Sequence, residues 1–157
     1  MKAYTLIFSI SILVVLSGCF NLDTLDYPQS EPTVHDVAGI YLPDEATLKD
    51  IRERGHYPKA DVSITLSSDG TFVCKNIPDW WLATDGKASG GFVTKTGAWK
   101  TVKDQDWWAV GLEFNALHHF ESQNLEIYLV GAKPPFVVRI VMGDPDSGNV
   151  MDFARAQ

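Results

Sequence analysis

Val62-Ser63-Ile64-Thr65-Leu66-Ser67-Ser68-Asp69-Gly70-Thr71-Phe72-Val73-Cys74-Lys75 alternates apolar and polar residues on both sides of an Asp-Gly pair. Residues two apart on a strand share a face, so Val62, Ile64 and Leu66 form one apolar row. Asp-Gly suits the positive φ of a tight hairpin, and Phe72 and Cys74 form the matching row on the return strand Thr71–Ile77. The stretch reads as an antiparallel pair with one dry face and one wet face.

The period of two continues outward from this hairpin. Downstream, Gly90 to Lys103 predicts a strand with a bulge at Gly97. Trp107–Phe114 follows, with Trp108, Val110, Leu112 and Phe114 on one face. Leu125, Ile127 and Leu129 open the next strand, and Phe136, Val138, Ile140 and Met142 line its return. Asn149–Arg155 is the last. Upstream, Val37–Leu42 is a short strand ended by Pro43. Asp44 then caps a helix over Glu45–Arg54, and Gly55 stops it. Residues 80–89 and 115–123 read as loops. The fold class is therefore all-β with one short helix. Seven or eight strands form an antiparallel meander that closes into a small barrel, with a β-sandwich as the alternative. The chain has no β-helix-β units of the kind that build a parallel sheet.

The N-terminus carries an address. Lys2, an apolar run from Ala3 to Leu16 and a small-residue exit make the layout of a secretory signal. The run is shorter than the roughly 20 apolar residues a membrane span needs. Leu16-Ser17-Gly18-Cys19 resembles the lipobox of bacterial lipoproteins. That resemblance implies cleavage before Cys19 and lipidation of Cys19, and hence attachment to a membrane through the lipid. Phe20 rather than Asp follows the cysteine, which by the same resemblance implies the outer membrane in a Gram-negative cell. Residues 1–18 are then a signal peptide and residues 19–35 a lipidated cysteine with a flexible, Pro- and acid-rich tether. Residues 36–157 form a single β domain.

A second resemblance rests on Gly39-Ile40-Tyr41, on Leu66-x-x-Asp69-Gly70-x-Phe72 and on Gly97-Ala98-Trp99. Their order is similar to that of small bacterial lipocalin-like proteins, which implies a barrel over residues 37–155. The opening aromatic here is Tyr41, and the lipocalin disulfide is absent. With Cys19 consumed as a thioether, Cys74 stands alone, a small buried apolar side chain two residues from Phe72.

Charge narrows the partners. The formal net charge is −7, and removing residues 1–18 takes away Lys2 and no acid, giving −8. Such a surface does not suit nucleic acid, whose phosphates call for clustered Lys and Arg. It does not favour lying flat on anionic lipid either. Catalytic signatures such as Gly-x-Ser-x-Gly, His-Glu-x-x-His or a glycine-rich phosphate loop are missing. His118-His119 lacks a third ligand at zinc spacing. Asp144-Pro145-Asp146-Ser147-Gly148 lacks the late Glu of a calcium loop and reads as a β-turn. No cofactor or metal is expected.

The aromatic pairs remain. In Trp80-Trp81 and Trp107-Trp108 adjacent rings must face opposite ways. Trp80, Trp81 and Trp107 are the candidate binding residues, set beside Asp79, Asp85, Asp104 and Asp106. The expected function is that of a lipid-anchored, monomeric cell-envelope binding protein without catalysis, an inhibitor or immunity-type protein acting on a protein partner. The alternative is a lipocalin-like carrier of a small apolar ligand, and a remote one is an envelope hydrolase.

Overall fold

A computed structural model describes residues 26–55, 61–78, 91–115, 124–142 and 148–157. In chain order the elements are α1 (Val34–Val37), β1 (Gly39–Pro43), α2 (Glu45–Gly55), β2 (Ser63–Leu66), β3 (Thr71–Pro78), β4 (Phe92–Asp104), β5 (Trp107–Phe114), β6 (Asn124–Val130), β7 (Val137–Val141) and β8 (Val150–Arg155). Each strand pairs antiparallel with its sequence neighbours, and β1 pairs with β8 to close an eight-stranded barrel. Tyr41 lies opposite Arg155 and Leu42 opposite Ala154 at that seam. Closure removes both sheet edges, so no row of unpaired backbone groups is left as a template for aggregation. Among the described residues no helix is long and apolar enough to cross a membrane.

The alternation sorts side chains as the periodicity predicts. Ile64 and Leu66 on β2, Phe72 and Cys74 on β3, and Val110 and Leu112 on β5 are all at most 1% exposed. Tyr41, Phe72 and Phe153 are the largest fully buried side chains of this core, which they share with Met151 and Ile140. Full burial of each such apolar side chain contributes about 1.5–3 kcal/mol. An eight-stranded barrel is just wide enough for side chains of this size to fill. Solvent touches almost none of the area of these side chains, whereas Phe92, Phe114, Leu125 and Met142, at or next to the ends of their strands, are only partly buried against them.

The opening hairpin is tied at its turn. Gly70 sits at φ 84, as the Asp-Gly pair requires. Asp69 Oδ1 accepts from Thr71 N at 2.9 Å and from Thr71 Oγ1 at 2.6 Å. Those bonds favour the ionised form and hold the Asp69 carboxyl below the usual carboxylate range. Trp99 then clamps the turn from β4, its backbone N–H donating to Gly70 O and its Nε1–H to Ser67 O at 2.8 Å.

Three details differ from the sequence reading. First, the described residues hold two helices. Thr33 and Asp36 form a capping box that winds Val34–Val37 into a single turn. Val37, expected to begin a strand, instead plugs the core at 0% exposure, and its carbonyl accepts from Tyr41 Oη at 2.6 Å. Second, the bulge is not at Gly97, which pairs in register with Phe72 and with Phe114. It is on β3, where Asn76 adopts φ 52 and three steps from Cys74 to Ile77 face two on β4. Third, part of the expected tether lies on the barrel. Tyr27, Pro28 and Pro32 are buried.

Candidate functional site

An up-and-down barrel has two ends of different character. The β2–β3, β4–β5 and β6–β7 turns (residues 67–70, 105–106 and 131–136) share one end with the start of β1. The connections 44–62, 79–91, 115–123 and 142–149 share the other. Loops held on a rigid scaffold are where binding residues concentrate.

The tight-turn end is closed by the chain before β1. Register between β5 and β6 stops at Ala109 and Tyr128. Beyond it the two strand ends bond to Asp26–Pro28. Gly131 N–H donates to Asp26 O at 2.6 Å, and Trp108 N–H donates to Pro28 O at 3.1 Å. Tyr27, between them, stacks on Trp107 with ring centroids 5.1 Å apart and leans on Tyr128 at 6.2 Å. Trp107 is therefore a half-buried floor for the chain's own Tyr27. Its Nε1–H is buried and meets no acceptor among the described residues. Trp108 takes the parity of Val110 and Leu112 and is half-buried at the rim, so this pair faces two ways, as expected. Burial, Asp104 and Glu126 together push the Tyr128 hydroxyl above its ordinary range.

Beside this strap the outer wall carries a charged hub. Arg139 on β7 is 8% exposed, although it points away from the core row of Val138 and Ile140. Its Nε and Nη2 each donate to one oxygen of Asp152 on β8, both at 2.7 Å. The paired carboxylate raises the Arg139 pKa above its usual value. The backbone of Asp152 docks α2, its N–H donating to Thr47 Oγ1 at 2.8 Å and its O accepting from Asp44 N at 2.9 Å. Asp44 caps α2 as the sequence predicts, Oδ1 accepting from Thr47 N at 2.7 Å. A cleft of about 260 Å³ lies between α2 and β8, lined by Asp44, Thr47, Asp50, Met142 and Asp152 among others. No group of three or more His, Cys, Asp or Glu that could hold a metal occurs among the described residues.

Cys74 is buried and free, and burial pushes its thiol up to about 12. A native Cys19→Ser chain is accordingly expected to resist a thiol reagent at neutral pH and to label fully once denatured. Rapid labelling of the folded protein would place Cys74 at an accessible surface.

Of the residues singled out in the sequence, Trp107 is brought together with Tyr27, Tyr128 and Gly131. Cys19, Trp80, Trp81, His118, His119 and Asp144–Ser147 lie outside the described residues. β3 ends at Pro78 at the long-connection end, and Trp107 begins β5 at the opposite end. The Arg139–Asp152 hub is the feature that sequence reading missed. Its signal was a lone charge inside each of the apolar runs Val137–Val141 and Val150–Phe153. Comparison with protein-family models, with curated proteins and with solved structures finds no match for this chain.

Proposed function

We propose that this chain is a bacterial lipoprotein whose lipocalin-like barrel, held at the cell envelope by a lipid on Cys19, binds a protein partner and performs no catalysis. The observation that carries the choice of a protein over a small ligand is the set of fully buried side chains that fills the core among the described residues. Tyr41, Ile64, Phe72 and Phe153 leave next to nothing for solvent to touch, whereas a drug-sized ligand needs a pocket of about 300 Å³ or more. Binding then falls to the rim, and Trp80 and Trp81, second and third in sequence after the end of β3 at Pro78, are the aromatic anchors for it. Aromatic anchors ringed by acids suit a basic target, and the mature charge of −8 would speed its capture. An inhibitor or immunity-type protein facing a lysozyme-like hydrolase fits that chemistry.

Two measurements test the reading. Wild-type protein is expected in the detergent phase of a phase-separation assay, and Cys19→Ala in the aqueous phase. A wild type that partitions as soluble overturns the anchor. Titration of a basic lysozyme should give a complex that weakens steeply with salt. Trp80→Ala or Trp81→Ala should loosen it by about tenfold or more, as truncating a hot spot does. Saturable uptake of an apolar dye, with no lysozyme complex, would transfer the function to the carrier.

A further inference from the structure

The way the chain enters the barrel determines how the barrel stands. Asp26 O and Pro28 O are bonded to Gly131 N–H and Trp108 N–H, and Tyr27 is only 6% exposed against Trp107. Asp26, the first described residue after Cys19, lies at the end that carries the three tight turns. Seven residue steps separate the two, and a fully extended chain covers them in at most about 25 Å. From Trp107 to Phe114, β5 climbs about 20 Å along a tilted barrel. The far end thus stands away from the anchor by roughly the whole length of the leash again.

We propose that the Asp26–Pro28 strap sets the stance of the barrel on a lipid surface. The end bearing the 67–70, 105–106 and 131–136 turns faces the headgroups, and the end bearing the four long connections faces away. The inference rests on lipidation of Cys19. The facing end exposes Asp69, Asp106, Lys103 and Lys133 around the scattered apolar Val34 and Ile40. It rides over the headgroups without entering the acyl layer. Any partner is then met at the far rim, on the side away from the membrane.

The test uses the full lipidated chain in phosphatidylcholine vesicles containing a nitroxide-headgroup lipid. Single labels are placed through Ala132→Cys and Ser68→Cys at the near end and Asp61→Cys at the far end. All three positions are exposed, and the native Cys74 is buried. Fluorescence at Ala132 and Ser68 is expected to be quenched severalfold more than at Asp61. Equal quenching, or stronger quenching at Asp61, overturns the stance while leaving the anchor intact. Failure of the wild type to bind vesicles removes the anchor and the stance together. Adding Tyr27→Ala frees the strap back to Thr33 and doubles the leash, so the contrast between ends should shrink. An unchanged contrast would mean that the strap does not set it.

Discussion

Gly97→Ala is expected to cost the barrel more than about 3 kcal/mol, the upper part of the range for overpacked cores. A Cβ at Gly97 would overlap the Glu113 carbonyl oxygen and stand 2.7 Å from Phe72 Cε1 and 2.9 Å from the Glu113 carbonyl carbon. Two of those three atoms are backbone, so no rotamer change relieves the overlap. The strands on either side cannot part without breaking the ladder that runs from Gly97 opposite Phe114 to Asp104 opposite Trp107. Nor can Phe72 give way, because it holds Phe114 edge-on at 5.2 Å and 86°. Against a typical domain stability of 5–15 kcal/mol, the variant should melt about 10 °C lower or fail to accumulate. Gly111→Ala is the control. Its Cβ would meet Val102 Cγ1 at 3.0 Å and Cγ2 at 3.7 Å, a side chain that can shift, with the Lys100 carbonyl oxygen at an ordinary contact distance of 3.9 Å. That variant should melt within a few degrees of wild type, and equal melting of both variants would refute the register assigned to β4.

Asp152→Ala is expected to be nearly as damaging, for an electrostatic reason. The Arg139 side chain is 10% exposed and the Asp152 side chain 22%. Arginine cannot shed its proton to escape burial. Removing Asp152 leaves a cation with no partner under the strap and beside α2. Breaking buried pairs costs 3–5 kcal/mol, and the residual exposure of Asp152 puts this one at about 3 kcal/mol. Replacing both residues, as Arg139→Met with Asp152→Leu, should restore most of the loss, because two apolar side chains carry no unpaired charge. Urea unfolding of the two single variants and the double variant gives the coupling directly. Additive losses in that cycle would show that the pair does not act as a unit.

These two sites mark where the sequence could be read and where it could not. The hairpin 62–75 is legible because its information is local: an alternation of period two and an Asp-Gly pair that admits one kind of turn. Trp107–Phe114 is legible for the same reason. The expected β5 matches the observed one residue for residue. Closure is another matter. Tyr41 meets Arg155 across more than a hundred residues, and no local pattern announces that contact. The meander argument predicts it only because open edges are costly. Gly97 was legible as special but not in kind, since a bulge and a close approach both call for a missing Cβ.

Tyr27 shows the same limit from the other side. In a stretch with Pro28, Pro32 and several acids its composition is that of a tether, and its stacking partner lies eighty residues on. Trp107, for its part, reads from sequence as an exposed aromatic because nothing near it in the chain covers it. The capping box of Thr33 and Asp36 formed no part of the sequence reading, in which the apolar run from Val37 to Leu42 set the first element.

The strap has a mechanical meaning. A pull on the N-terminal side of the chain reaches the barrel at Asp26, Tyr27 and Pro28 before it reaches any ladder. The load falls first on these residues' contacts, among them two hydrogen bonds, each worth a net of about 1 kcal/mol, and the Tyr27 ring packed on Trp107 and Tyr128. These yield one at a time, as a zipper does, while the β1–β8 seam stays unloaded behind α1. Freeing residues 26–33 releases about 25 Å of chain. A pull on the chain ahead of Asp26 therefore produces slack, and the strap serves as a fuse that gives before the barrel opens.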